Sequence, residues 1–286
     1  MRRIRYAMCC GSAPAISMTM ALAFLVGWAC GAQDPGPPQP ASSANHNGIL
    51  QQEFSDEFNG QALDTAKWDN DVADWGVWSW EPENAWVENG CLNLRMQHRE
   101  HERKGKKLFY TSGIVKSKAS PIRYGYFEAR IKAAPRFPGV SPDFWVYRGE
   151  KDIWTEIDFV EITQHDKNIK LMDTNIHVFR SPELPNGRKN LHEHREWKAP
   201  WDPREAFHTY GCKWDDAQIR WYIDGQLVAS RTNEFWHQSL DVVLSCGVRP
   251  PLHTQPSPNG FPTVCQVDYV RVWKESAPQR DAGVGK

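Results

Sequence analysis

Apolar and polar positions alternate along most of the chain between residues 49 and 274. Cys91-Leu92-Asn93-Leu94-Arg95-Met96 alternates directly after Asn89-Gly90, a tight-turn pair, and so predicts a strand entered from a hairpin. Tyr124 to Lys132 and Asp173 to Phe179 alternate in the same way. Arg220 to Ile223 and Gln226 to Ala229 flank Asp224-Gly225 and predict a second hairpin, and Val264 to Trp273 predicts a long closing strand. No stretch of a dozen residues carries a 3.6-residue apolar stripe, which argues against amphipathic helices. Many short strands separated by turns predict an all-β fold, a β-sandwich jelly roll of two antiparallel sheets.

One strand breaks its own alternation. Trp154-Thr155-Glu156-Ile157-Asp158-Phe159-Val160-Glu161-Ile162-Thr163-Gln164 is rich in β-branched and apolar residues and free of Gly and Pro. Side chains alternate faces on a pleated strand, so Trp154, Glu156 and Asp158 share one face while Glu161 falls on the other. A single-residue β-bulge at Phe159-Val160 would return Glu161 to the side of Glu156 and Asp158. Glycosidases work with two carboxyl groups across the scissile bond, about 5–5.5 Å apart when configuration is retained and about 6.5–9.5 Å when it is inverted. Glu156 and Glu161 are the candidate pair. Asp158 between them would hydrogen-bond the nucleophile and add negative charge that raises the pKa of the acid.

Composition narrows the picture. The 34 basic and 35 acidic residues nearly cancel, which argues against a general nucleic-acid binder. Fourteen Trp provide core volume and flat faces on which sugar rings can stack. Met1-Arg2-Arg3-Ile4-Arg5 and the apolar run Ile16 to Trp28 have the layout of a signal peptide over residues 1–32. The chain is therefore expected to be secreted or periplasmic, with no membrane span; Cys30 offers lipid anchoring at the outer surface as an alternative. A Pro-rich linker follows over 33–48, then one catalytic domain over 49–274 and a disordered tail over 275–286. Besides Cys9, Cys10 and Cys30 near the leader, Cys91, Cys212, Cys246 and Cys265 remain, so disulfides are allowed in an exported chain, with three pairings open.

Glu156-Ile157-Asp158-Phe159-Val160-Glu161 resembles the signature of glycoside hydrolase family 16 in its bulge-containing form. Phe54-Ser55-Asp56-Glu57-Phe58-Asn59-Gly60, Tyr124 to Arg130, Phe207-His208-Thr209-Tyr210, Trp221 to Gly225 and Val267 to Val272 fall in the family's order, so the resemblance covers the whole domain. It implies a concave substrate cleft on one sheet, and retaining hydrolysis with Glu156 as nucleophile, Glu161 as acid/base and Asp158 as assisting acid. Trp78-Ser79-Trp80-Glu81-Pro82-Glu83-Asn84-Ala85, Met172 to Phe179 and Val248-Arg249-Pro250-Pro251 look most like the κ-carrageenases, which cut a sulfated red-algal galactan. The expected partner is thus that polysaccharide, and the expected state a monomer. Porphyran, agarose, furcellaran and β-glucan are the rival substrates, and a non-catalytic carbohydrate-binding protein is the rival class. No formylglycine-type sequence supports a sulfatase.

Further residues are placed on that frame. Trp145 is expected to line the cleft and stack a sugar, and Trp154 shares the face of Glu156. Trp75, Trp78 and Trp80 read as a loop offering substrate contacts, with Trp80 the chosen one. Asn175 and His177, two apart on a strand, make a polar face toward the cleft. Arg249, stiffened by two prolines, leads the candidates for sulfate, ahead of Arg195 and Arg148. Arg99, Arg103, Lys104, Lys106 and Lys107 read as a charged, flexible loop that steers a polyanion. The resemblance calls for no catalytic metal or cofactor and leaves room for a structural calcium on the Gly90 carbonyl and Asp268.

Overall fold

The computed structural model describes residues 48–185 and 188–275. The expected signal peptide with Cys9, Cys10 and Cys30, nearly all of the linker, and the tail beyond 275 lie outside the described residues. Within them are seventeen strands and a single 3-10 turn at Pro82–Asn84. The strands are β1 (Gly48–Leu50), β2 (Trp68–Asp69), β3 (Trp78–Trp80), β4 (Ala85–Glu88), β5 (Cys91–Arg103), β6 (Lys106–Ser112), β7 (Ile114–Ser117), β8 (Gly125–Lys132) and β9 (Val140–Gly149). They continue as β10 (Trp154–Ile162), β11 (Leu171–Arg180), β12 (Leu191–Lys198), β13 (His208–Trp214), β14 (Gln218–Ile223), β15 (Gln226–Thr232), β16 (Asp241–Val248) and β17 (Thr263–Glu275).

One sheet runs β15-β14-β13-β8-β17-β5-β6-β3, with β1 on β17 and β4 on β5; the other runs β12-β11-β10-β9-β16-β7-β2. The expected sandwich is present, with one departure from antiparallel pairing: β3 joins β6 in parallel. The two turn pairs behave as their residues require. Asn89 and Gly90 sit at φ 54° and 72°, and Asp224 and Gly225 at 47° and 74°, the left-handed region that two-residue hairpins demand and that Asn, Asp and Gly tolerate.

The basic stretch is a correction. Arg99, Arg103, Lys106 and Lys107 lie on the β5–β6 hairpin, and its turn is Lys104-Gly105. Arg103 is ion-paired with Asp74 and Glu81 at 3.0 Å each, so it ties down the Trp75–Trp80 segment instead of reaching for a polyanion. Cys91, Cys212, Cys246 and Cys265, whose pairing the sequence leaves open, are all buried free thiols. They serve as small apolar side chains. Cys246 and Cys265 neighbour each other, and that contact together with burial pushes the Cys246 thiol up.

The core between the sheets is aromatic. Phe159 packs against Phe127 at 5.0 Å and Phe144 at 4.9 Å between ring centroids, and each fully buried ring of this kind contributes about 1.5–3 kcal/mol. Two indoles hold the acidic strand by its backbone. Trp221 Nε1 on β14 donates to the Asp158 carbonyl at 2.9 Å, and Trp236 Nε1 donates to the carbonyls of Glu156 and His177 at 2.8 and 3.1 Å. Among the described residues no helix is long and apolar enough to cross a membrane.

Candidate active site

The bulge sits in β10, between β9 and β11. Asp158 pairs with Trp145 and Val160 with Phe144, so Phe159 is one residue too many against β9. On the other side Asp158 pairs with Asn175 and Glu161 with Asp173, leaving Phe159 and Val160 opposite Thr174 alone. Phe159 and Val160 are both buried in the core, and Glu161 returns to the face of Glu156 and Asp158. All three acids line one cavity of about 450 Å³. Its walls are Trp75, Trp78, Trp80, Trp145, Tyr147, Trp154 and Phe179; Asp143, Ser245 and Arg249 complete the floor.

The aromatic wall is layered. Trp145 stacks on Tyr147 at 4.6 Å between centroids, and its Nε1 donates to Ser245 Oγ at 3.1 Å. Trp154 rests on Phe179 at 4.7 Å, with the Arg180 guanidinium over its ring at 5.3 Å. Trp80 is 1 % exposed and held behind Trp75, whose ring meets it edge-on at 5.1 Å. Trp80 thus lines the cavity as expected, with the half-buried Trp75 the more exposed ring of that segment.

Glu161 is the most heavily held acid. Arg249 Nη2 donates to its Oε1 at 2.6 Å, Gln164 Nε2 donates to its Oε2 at 3.1 Å, and Asn175 Nδ2 donates to the same oxygen. Asn175 is 0 % exposed and lies outside the cavity lining, so it orients Glu161 and is not the substrate contact expected of it. The guanidinium of Arg249 also donates from Nη2 to Asp143 Oδ2 at 3.1 Å, from Nε to Gln164 Oε1 at 2.6 Å and from Nη1 to the Val248 carbonyl at 3.0 Å. The expected free sulfate fork is an ion-paired one, since a buried cation needs carboxylate partners. Arg195 and Arg148 are likewise engaged, with the Ser230 carbonyl and with Glu150 and Asp241.

His177 was expected to face substrate. Its Nε2 instead lies 3.0 Å from Asp158 Oδ2, which has no other partner, and 3.9 Å from Glu156 Oε1. Burial would lower the His177 pKa, but the bond to Asp158 and the charges of Asp158 and Glu161 outweigh it and raise it. The carboxyls rise above their usual range as well. Burial, then the charges of Asp158 and Glu161, push Glu156 well up. Burial and Glu161 bring Asp158 to about 6, against the pull of His177. Asp143 reaches about 7 through burial, opposed first by Arg249. A nucleophile must be ionised, so Glu156 needs neighbouring cations to release its proton; Arg249 acts in that direction.

Two groups of donors, Glu156 with Asp158 and His177, and His165 with Asp173 and Glu196, each bring their ligand atoms within 4.8 Å of one another. Asp268 is paired with Arg130 Nη1 at 2.8 Å, and one carboxylate already shared with a guanidinium does not fit calcium, which takes six to eight oxygens. His165 bonds Asp173 at 2.9 Å with Glu196 3.8 Å away, an arrangement that a simple imidazole–carboxylate pair accounts for.

Asp143, Gln164, Tyr147, Phe179, Ser245 and Trp236 are site residues that sequence reasoning missed. The signal for Asp143 was available: it precedes Trp145 by two and so shares its strand face.

Comparison with known proteins adds an independent line. A family model described as "Beta-porphyranase A-D, GH16 domain" matches residues 49–275. The κ-carrageenase of Pseudoalteromonas carrageenovora is 39 % identical over 295 residues, 91 % of this chain and 71 % of that protein. The crystal structure of that enzyme with a κ-carrageenan oligotetrasaccharide superposes with a TM-score of 0.71 at 36 % identity, covering 84 % of this chain and 98 % of the other. A κ-carrageenase structure from Zobellia galactanivorans gives 0.72 at 31 % identity, covering 84 % and 100 %.

Proposed function

This chain belongs to glycoside hydrolase family 16, and from that premise we propose that it is an exported, endo-acting, retaining hydrolase of β-1,4 bonds in a sulfated red-algal galactan, κ-carrageenan first. The observation that carries the reading is the bulge that gathers Glu156, Asp158 and Glu161 on the floor of an aromatic-walled cavity. In the reaction Glu156 attacks the anomeric carbon while Glu161 gives its proton to the departing glycosidic oxygen, leaving a glycosyl-enzyme ester. Glu161, now a carboxylate, takes a proton from water; the hydroxide oxygen bonds the anomeric carbon and Glu156 leaves. Asp158 and His177 set the charge around the nucleophile, and Gln164 and Asn175 fix the direction of Glu161.

Arg249 is the one cation among the described residues lining the cavity, and it is proposed to meet the sulfate ester by turning part of its fork from the carboxylates toward it. A second reading, porphyran as the substrate, is favoured by the porphyranase family model. Reducing ends released from κ-carrageenan, porphyran, agarose and laminarin decide between them. Release from κ-carrageenan above the others is expected. Preference for porphyran or agarose replaces the substrate, and release from none of the four sinks the hydrolytic reading.

A further inference from the structure

His177 is pinned at both ends of its ring. Nε2 faces Asp158 at 3.0 Å, and Nδ1 lies 2.8 Å from Nδ1 of His192, directly opposite on β12. Two imidazole nitrogens at that distance need one proton between them, so one ring brings N–H and the other a lone pair. His192 is exposed at the edge of the cleft, and its ring stands beside Phe179 at 5.2 Å.

The geometry points to His192 as a positioning residue for hydrolysis: its Nδ1 accepts the Nδ1 proton of His177 and thereby keeps His177 as the doubly protonated cation that faces Asp158 and Glu156. The inference rests on the proposed function for its catalytic consequence, but the contact itself does not. At a fixed number of protons, the same proton sits either on His177 or on the buried carboxyls. An acceptor behind His177 favours the first arrangement, in which Glu156 is free to attack.

The surrounding charges agree. His177 meets Glu156, Asp158 and the field of Glu161 from β10, and His192 and His194 from β12, the latter ring 5.5 Å away. His192 is faced by His177, His194 and Arg188; burial first, and then the charge of His177, lower its pKa, which favours the form with a lone pair to offer. Acid groups hold the proton on His177 while basic groups keep it off His192.

The test compares His192→Phe, which keeps a ring but no acceptor, with His192→Asn, whose Oδ1 stands near the place of Nδ1. The nitrogen NMR signals of His177 are followed against pH in the substrate-free protein, and kcat and KM are measured on the best polymer. In His192→Phe the His177 titration should fall by about one pH unit, the worth of a charge-assisted hydrogen bond. The expected kcat loss is about tenfold at little change in KM, and His192→Asn should restore most of both. An unmoved His177 titration in His192→Phe overturns the proposal, even if activity falls. If no polymer is hydrolysed, the catalytic consequence goes with the proposed function, while the NMR titration still decides the proton's position.

Discussion

Two glutamates, one in each sheet, have pKa values pushed up by burial, and of the two Glu156 lines the cavity described above. Glu128 on β8 accepts from the hydroxyls of Tyr126 and Tyr269, both at 2.9 Å, and burial is the leading cause of its raised pKa. Glu156 on β10 is raised by burial too, and next by Asp158 and Glu161. The difference is in the company each keeps. Neutral hydroxyls satisfy Glu128 whether or not it is protonated, so its site is at rest. Glu156 stands among like charges, with room for a ligand in front of it. A perturbed pKa therefore identifies burial; like-charged neighbours and an open face identify chemistry.

The comparison breaks most easily on activity. Glu156→Gln should lower kcat about 10²–10⁴-fold on the best polymer with the fold intact, whereas Glu128→Gln should leave it within a few-fold. Equal losses in the two variants, measured on proteins with matching circular dichroism, would erase the distinction. Stability gives the next largest effect. Arg249→Met leaves Asp143 and Glu161 without their cation and should cost about 3–5 kcal/mol in urea unfolding, while Glu128→Gln, which keeps an acceptor for one tyrosine and offers its amide N–H to the hydroxyl oxygen of the other, should cost less.

The smallest effect is shared by both regions. Carboxyls whose folded pKa lies above the unfolded value of about 3.9–4.3 stabilise fully below it, and lose that contribution as pH rises through the folded value. Asp158, at about 6, and Asp143, at about 7, thus make unfolding easier as pH climbs from roughly 4 to 7. Asp158→Asn should flatten the fall of the urea midpoint over that window, and Glu128→Gln should flatten it too. A midpoint that rises with pH across the window in the parent protein, or the same slope in Asp158→Asn, contradicts the assigned shifts.

Alternation made the sandwich legible, and its one failure made the catalytic strand legible: Glu161 could reach Glu156 only through a bulge. What stayed hidden depends on register between strands. Asn175 and His177 do share a face, as their spacing requires, but β10 presents Asp158 and Glu161 to them, and their polar atoms are used there. The same holds for Arg249, whose partners Asp143 and Glu161 are 106 and 88 residues away. Trp75, Trp78 and Trp80 look alike in sequence and all three line the cavity; the parallel pairing of β3 with β6 buries Trp78 and Trp80 and leaves Trp75 half-buried.

The bulge also makes the catalytic strand tolerate length changes in one direction only. Phe159 and Val160 both point into the core, so removing either one leaves regular alternation, with Glu156, Asp158 and Glu161 still facing the cleft and the core short of one side chain. Adding a residue at the same place has no such outlet: it turns Glu161 inward or pushes a third apolar side chain into a filled interior. Single-residue deletions and insertions in this strand, which look equivalent on paper, thus lie on opposite sides of function.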